Sequence, residues 1–465
     1  MDANRSHCPT DWLLVMARFP AAGKCKTRLI PALGADGAAR LHGQLTEHTL
    51  RWCRQVRDRI GAQVQVWVSG ASGDQMAARF GADLDYRRQP TGDLGQRMRH
   101  ASQVAIESGA ERIVIVGTDC PQLDAATIAQ VFSTLDNHRV CLIPATDGGY
   151  VLLGFCPEGS AIVSTVTTDR SRTPPTWIDA LFKDIAWGSS QVLAQTIAQL
   201  RRRESIPLGI FPPRRDVDLP EDLDVWYQRQ ESQLRKRPRF SVIVPVGGRE
   251  EHLDSCLATV RRQSREAEIL VTSASFSTDT CDAAMKHQAY YLVNAVPRGA
   301  RINAALRVAT GKFVVLLHAD TLLPDQWPAW VEQLAGQNEV ALGAFPLRID
   351  SPRLVARWIE RAVAWRSAVR KLPYGDQAIF ARRTLLRRLG GVQPWPIMED
   401  YELVRRAGRW GKIVLAEDPV LTSARRWHHR GFLATTLLNQ LIILGYHCGI
   451  SPTRLASWYR HGLWH

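Results

Sequence analysis

Short, uninterrupted apolar runs alternate along the chain with longer stretches of helical periodicity. Residues 12–17 (WLLVMA) form the first run, residues 64–68 alternate like a second strand, and residues 112–117 (RIVIVG) make a third. Between the first two, residues 38–59 carry a helical pattern. The grammar restarts at residues 240–245 (FSVIVP), continues at 268–271 (EILV) and again at 312–318 (KFVVLLH). Runs this short predict buried strands, and strands alternating with helices predict α/β domains with mainly parallel sheets, whose active loops lie at the strands' C-terminal ends. In both halves the third run leads straight into an aspartate, Asp119 and Asp320. Residues 227–239 (YQRQESQLRKRPR) have no apolar period, are strongly charged and contain a proline just before the fresh strand. The sequence therefore predicts two tandem domains, 11–226 and 240–460, joined by a linker at 227–239, as distant structural duplicates rather than sequence repeats.

Composition narrows the class. At 465 residues, 45% hydrophobic and 22% charged, the chain reads as globular. No apolar run reaches the roughly 18 uncharged residues of a membrane span; residues 433–450 come nearest, but contain Asn439, Gln440 and His447 and read as a buried helix. The first ten residues lack an apolar signal core, and the nine cysteines include no CxxC pair, which argues against a disulfide framework or a zinc ribbon. A cytoplasmic protein is the expectation. The net charge of +14 is uneven: residues 231–465 hold 33 of the 59 Lys and Arg but 20 of the 45 Asp and Glu. Such a half attracts anions. With no helix-turn-helix, zinc-finger or RNP-type signature, the charge points away from nucleic acid and towards an anionic substrate or membrane surface. Gly23-Lys24-Cys25 lacks the other elements of a phosphate-binding P-loop, and GxGxxG after a strand, HExxH and GxSxG are missing. Dehydrogenase, P-loop NTPase, zincin and serine hydrolase readings lose ground accordingly.

The second half carries an ordered set of motifs: Arg298-Gly-Ala-Arg-Ile-Asn303, Leu317-His-Ala-Asp320 with Pro324, Gly343-Ala-Phe, Pro373-Tyr-Gly-Asp-Gln377, Met398-Glu-Asp400 and Thr422-Ser-Ala-Arg-Arg-Trp427. On these, residues 240–460 resemble family-2 glycosyltransferases of the GT-A fold, within them the transferase 2 group of the radical-SAM/selenodomain type associated with arsenosugar biosynthesis. The resemblance implies a nucleotide-sugar donor whose diphosphate is the leaving group, a divalent cation (Mg²⁺ or Mn²⁺) and basic side chains to stabilise it. It places Asp320 on the metal, Asp400 as the base for the acceptor hydroxyl with Glu399 beside it, Arg298, Arg406, Arg425 and Arg426 near phosphate, and Asp376, Gln377 and Trp427 on the substrate. Two segments depart from the family: Thr272-Ser273-Ala274 stands where an acidic residue and glycines follow the second strand, and Gly248-Arg249 where the first loop has Asn-Glu. Blander readings remain open, since acids before a helix often cap it and paired arginines often only solvate a face.

The first half has Arg18-Phe-Pro-Ala-Ala-Gly-Lys-Cys-Lys-Thr-Arg-Leu29, Gly92-Asp-Leu-Gly-Gln-Arg-Met98, Gly117-Thr-Asp-Cys-Pro-Gln-Leu123, Pro144-Ala-Thr-Asp-Gly-Gly-Tyr150 and Asp216-Val-Asp-Leu-Pro-Glu-Asp-Leu223. Through these, residues 11–226 resemble the DUF2064 group (transferase 1 of the same type), itself similar to nucleotidyltransferases such as 2-phospho-lactate guanylyltransferase. A glycine-containing basic loop after the first strand suits phosphate, with Lys24, Lys26 and Arg28 supplying charge. The resemblance puts a metal on Asp119 and Asp218 and substrate at Asp147, Gly148 and Gly149. Capping by Asp218 and a simple hairpin at Gly148-Gly149 are the alternatives. The whole then reads as two tandem GT-A-like domains acting on a nucleotide-sugar donor and an unknown acceptor, or as a nucleotidyltransferase with a docking module. A third reading sets the Arg-rich stretch 353–388 and residues 433–450 on anionic lipid. Oligomeric state is not legible.

Overall fold

The computed structural model describes residues 10–157, 176–202, 206–232, 238–247, 250–425 and 432–461. The chain divides into two compact units, Met1–Arg235 and Lys236–His465. The helix Leu223–Ser232 continues past Tyr227, where the sequence suggests that a linker begins.

In the first unit the strands are β1 (Asp11–Arg18), β2 (Gln63–Ser69), β3 (Asp85–Arg88), β4 (Arg112–Val116), β5 (Val140–Pro144), β6 (Tyr150–Phe155) and β7 (Leu208–Ile210). They lie in the order β7-β5-β6-β4-β1-β2-β3. Only β6 runs against its neighbours β4 and β5; the other pairings are parallel. The second unit has β8 (Phe240–Pro245), β9 (Glu268–Ser273), β10 (Tyr290–Val293), β11 (Phe313–Leu316), β12 (Thr321–Leu322), β13 (Val340–Ala344), β14 (Leu347–Asp350), β15 (Ile379–Arg382), β16 (Lys412–Leu415) and β17 (Val420–Ser423). Its main sheet is ordered β16-β13-β15-β11-β8-β9-β10, again with one reversed strand, β15. The two orders are the same, strand for strand, so the two units share one α/β topology. A small sheet, β12-β17-β14, is added in the second unit.

Parallel strands are covered by helices on both faces, which is why the sequence shows continuous apolar runs instead of alternation. Every residue of β8 and of β9 is buried. Even Glu268 fits, because its carboxylate accepts from Ser241 Oγ (2.5 Å), Thr310 N (2.8 Å) and Thr310 Oγ1 (3.0 Å).

The stretch at 433–450 corrects the expectation of a buried helix. It forms the helix Phe432–His447, in which Ile442 is buried but Leu437 and Leu444 are 63% and 60% exposed. One side packs, with the helix Pro452–His461, into a cluster around Met398, Tyr401 and Leu455; the other faces outwards. No helix among the described residues is long and apolar enough to cross a membrane.

Candidate functional site

In the first unit, the chain leaves β1 through a basic loop and reaches Lys26 in the left-handed conformation (φ 47°, ψ 43°). A residue with a Cβ adopts this conformation seldom. Here it opens the turn Thr27–Leu29, and the lysine side chain is only 4% exposed. The Nζ lies 2.6 Å from Asp218 Oδ1 and 2.9 Å from Asp119 Oδ1. Asp119 comes from the loop after β4 and Asp218 from the loop after β7. Val217 N donates to the Asp119 carbonyl (2.9 Å), which ties the loops together. His42, buried in the helix Ile30–Ile60, donates Nε2–H to the Arg18 carbonyl (3.0 Å) and holds Nδ1 3.5 Å from Asp119.

Electrostatics follow from this packing. Burial by itself pushes the Asp119 carboxyl up, but Lys26 and His42 overcome it and hold the group well below the usual carboxylate range. Burial likewise pulls Lys26 down, and the two carboxylates more than restore it. Asp216 goes the other way: burial, then Asp218 and Asp147, push it up to about 6. A cleft of ≈ 300 Å³ opens here, lined among others by Arg18, Lys26, Arg28, Arg97, Asp119 and Asp218, at the lower end of ligand-pocket sizes. Lys24 is exposed and contributes its carbonyl, which accepts from Arg18 (3.1 Å).

Capping near Asp218 falls to Asp222, whose Oδ2 accepts from Asp218 N and Leu219 N; the Asp218 side chain is thereby left for Lys26. Asp147, Gly148 and Gly149 form the β5–β6 hairpin turn, with Gly149 N donating to Asp147 Oδ1 (2.9 Å). Gly148 has φ +92°, and a Cβ there would meet the Ser190 carbonyl oxygen at 2.1 Å.

In the second unit, Arg298 opens the helix Arg298–Val308 that follows β10. Its guanidinium pairs with Glu399 Oε1 (2.8 Å) and donates to His318 Nε2 (2.8 Å), two residues before Asp320. Glu399 and Asp400 start the helix Glu399–Ala407 behind a left-handed Met398 (φ 69°), and no side chain caps that helix. Asp400 reaches out instead: its Oδ2 accepts from Gly375 N at 2.7 Å, while Oδ1 accepts from Tyr401 N. A Cβ on Gly375 would lie 2.5 Å from Asp400 Oδ2 and 2.9 Å from His318 Nε2, so the three residues are in close contact. Glu399 is 1% exposed, and burial raises its pKa against the opposing pull of Arg298. Asp320 is buried on the neighbouring loop, where Ser423 N donates to its carbonyl (2.9 Å). The structure thus brings together Arg298, His318, Gly375, Glu399 and Asp400.

Other residues singled out from the sequence are engaged elsewhere. Gln377 is fully buried; its Oε1 accepts from Arg366, Ser367 Oγ and Tyr374 N, and its Nε2 donates to the Phe345 carbonyl. Asp376 lies beside it in the short turn Gly375–Gln377. Arg406 gives its guanidinium to the carbonyls of Leu389 and Gly391 and to Glu402, and Arg425 pairs with Glu250 (2.8 Å). Arg426, Trp427, Gly248 and Arg249 lie outside the described residues. Ser273 Oγ donates to the Ser275 carbonyl (2.6 Å) and meets the Tyr291 hydroxyl (3.0 Å), which knits the departing loop closed on itself. Among the described residues, no group of three or more His, Cys, Asp and Glu side chains could hold a metal ion.

Sequence reasoning passed over His42, Arg97 and Asp216. His42 left a signal, a histidine in the buried face of the long helix between Leu41 and Leu45. Arg97 occupies the same place in its helix, the fourth residue, as Arg301 does in the matching helix of the second unit. Arg301 donates to the carbonyls of Val246 (2.9 Å) and Thr272 (3.4 Å), and burial draws it down to about 10.

Two protein families match. The family described as "Uncharacterized protein conserved in bacteria (DUF2064)" matches residues 49–189, and glycosyl transferase family 2 matches residues 241–388. No curated protein matches the chain. Among solved structures, a candidate nucleotide-diphospho-sugar transferase from Desulfovibrio desulfuricans G20 is 26% identical, covering 49% of this chain and 90% of its own (TM-score 0.41). A mannosyltransferase from Pyrobaculum calidifontis, solved with GDP-Man and Mn²⁺, is 21% identical over 43% of this chain and 63% of its own (TM-score 0.33). Glucosyl-3-phosphoglycerate synthase from Mycobacterium tuberculosis, solved with Mn²⁺, UDP and phosphoglyceric acid, is 19% identical over 48% and 81% (TM-score 0.34).

Proposed function

We propose that the second half of the chain transfers a sugar from a nucleotide-sugar donor to an acceptor hydroxyl, a reading supported by the match of residues 49–189 to DUF2064 and of residues 241–388 to glycosyl transferase family 2. In this reading Asp400 takes the hydroxyl proton as the glycosyl–phosphate bond breaks and the nucleoside diphosphate departs. The observation that carries it is the fixed Asp400 carboxylate, held at Oδ2 by Gly375 N next to the Arg298–His318 pair. Arg298 is a cation placed where a leaving diphosphate gathers charge.

Asp320 is a single carboxylate, and Ala424 follows Ser423 where Asp218 follows Val217 in the first unit. A Mg²⁺ or Mn²⁺ ion at Asp320 fits only if the diphosphate and water complete its oxygen shell, as is usual for Mg²⁺. When bound, such an ion would neutralise the departing phosphates. The first half binds a nucleotide substrate in the cleft at Lys26, either as a second glycosyltransferase or as a nucleotidyltransferase that makes the donor.

The test is a thermal-shift panel on the full chain with UDP, GDP, ADP, CDP and dTDP, each with Mn²⁺ or EDTA, for the wild type, Asp320→Asn and Asp119→Asn. A ligand at 100 times its Kd stabilises by about 2.7 kcal/mol. A Mn²⁺-dependent shift with one nucleotide, lost in Asp320→Asn, is expected, separate from the shift of the first-half cleft, which only Asp119→Asn removes. If all shifts are lost in Asp119→Asn and none in Asp320→Asn, catalysis moves to the first half and the second is left as a docking module.

The lipid reading is supported by the helix Leu354–Val369. Leu354, Trp358, Trp365 and Val369 are 79%, 68%, 57% and 61% exposed. Their spacing puts them on one helical face together with Arg361. Arg361 lies over Trp358 (5.5 Å) and Arg370 over Trp365 (5.6 Å). Tryptophan with arginine on one face suits the interface of an anionic bilayer. Co-sedimentation with vesicles containing phosphatidylglycerol, lost in Trp358→Ser/Trp365→Ser, is expected; equal sedimentation of that variant would refute this contact.

A further inference from the structure

The two units share a strand order but differ at one matched place, and the difference concerns charge. After β4 and in the segment beyond β7 the first unit presents Asp119 and Asp218; after β11 and in the segment beyond β16, just past β17, the second presents Asp320 and Ala424. The match does not rest on counting residues alone. Val217 N donates to the Asp119 carbonyl in one unit and Ser423 N to the Asp320 carbonyl in the other, at 2.9 Å in both. At this matched place, among the described residues, the carboxylate pair typical of a divalent cation site is present in the first unit and not in the second. There the space between the two carboxylates is filled by the Lys26 ammonium, within 2.9 Å of both.

We propose that Lys26 is the resident cation of the first unit, standing in for a divalent metal, so that this site takes the phosphates of its ligand without one. Three independent observations converge on it. Nζ is an ammonium at hydrogen-bond distance from both Oδ1 atoms, where Mg²⁺ would need bonds of about 2.0–2.1 Å, so a metal cannot share the position between those two oxygens with the lysine. The side chain is 4% exposed, and it is aimed inwards by a left-handed backbone that only a specific local fold sustains. Finally, the cleft already balances an anion: Arg18, Lys26, Arg28 and Arg97 face two carboxylates, Asp119 and Asp218. The net charge of these six groups matches a phosphate or diphosphate group with no metal added. The anchored lysine also accounts for the second acid of the first unit, since a site with its own cation keeps both acids to hold it.

This inference rests on the reading that the first cleft takes a phosphorylated ligand, and the two can fail separately. The full chain carrying Asp320→Asn, which removes the second unit's carboxylate, is titrated with Mn²⁺ alone and followed by the electron paramagnetic resonance of free Mn²⁺. With Lys26 intact, no site tighter than about 100 µM is expected; adding Lys26→Met creates one, and Asp119→Asn removes it again. Calorimetry with inorganic pyrophosphate then reads the ligand side. In EDTA, binding with Lys26 intact should weaken at least tenfold in Lys26→Met, and Mn²⁺ should restore it in that variant. Mn²⁺ bound with Lys26 intact and lost in Asp119→Asn overturns the proposal, and needs no lysine variant to fold. A folded Lys26→Met chain that gains no Mn²⁺ site overturns it as well. Pyrophosphate that binds in neither buffer instead overturns the phosphate reading of the cleft.

Discussion

Replacing Arg298 by methionine strips the Glu399 carboxylate, 1% exposed, of the guanidinium 2.8 Å away. Breaking a buried pair from one side costs about 3–5 kcal/mol, and Arg298, at 27% side-chain exposure, puts this pair at the low end, about 3 kcal/mol. Protonation sets a ceiling on the loss. Neutralising a carboxyl of ordinary value 4.5 costs about 5 kcal/mol at pH 8 but only about 1.4 kcal/mol at pH 5.5. A carboxyl whose folded pKa lies above its unfolded one binds protons in the native state first, so acidification through that window stabilises the fold. The Arg298→Met defect should therefore shrink as pH falls.

Glu399→Gln leaves a guanidinium that can still hydrate, and should cost less. Tm of the full chain, measured with tryptophan fluorescence at both pH values, reads these differences. A domain of this size shifts by about 2–4 °C per kcal/mol, so Arg298→Met should fall by roughly 6–12 °C at pH 8 and by less than half that at pH 5.5. Equal losses at the two pH values, or a larger loss for Glu399→Gln, would refute the argument that a buried carboxylate drives the effect.

Gly375→Ala inserts a Cβ 2.5 Å from Asp400 Oδ2; turnover should fall about 100-fold while the nucleotide thermal shift persists, and unchanged turnover would show that the Asp400 position is immaterial. Gln377→Leu removes four hydrogen bonds from a fully buried amide and strands their partners, so Tm should drop by roughly 6 °C or more; a change below about 2 °C would assign the amide another role.

The parallel strands were legible because burial on both faces writes itself as continuous apolar runs, and the helix-strand alternation carried the fold class with it. The reversed strands β6 and β15 were not, since nothing local distinguishes an antiparallel insertion in a mostly parallel sheet. Individual acids and bases could be picked out by motif, but their partners could not. Lys26 and Asp218 are 192 positions apart, and only the order of β1, β4 and β7 in the sheet brings them together. Arg406 is expected near phosphate, yet the carbonyls of Leu389 and Gly391, exposed by a turn with two left-handed glycines, claim it first. The outward side of Phe432–His447 escaped because a run of leucines reads the same whether one side packs or two.

The identical strand order of the two units also bears on recombination. An exchange of coding segments at matched loops, for instance after β2 in one unit and β9 in the other, would restore every ladder position and give a sheet with its reversed strand still between parallel neighbours. An exchange shifted by one strand would duplicate or delete a ladder member and leave the sheet with an unpaired interior edge. A hybrid built at that loop separates Lys26 from Asp119 and Asp218, so that one product sets the lysine beside Asp320 alone and the other keeps both carboxylates without it, with no redesign of the scaffold.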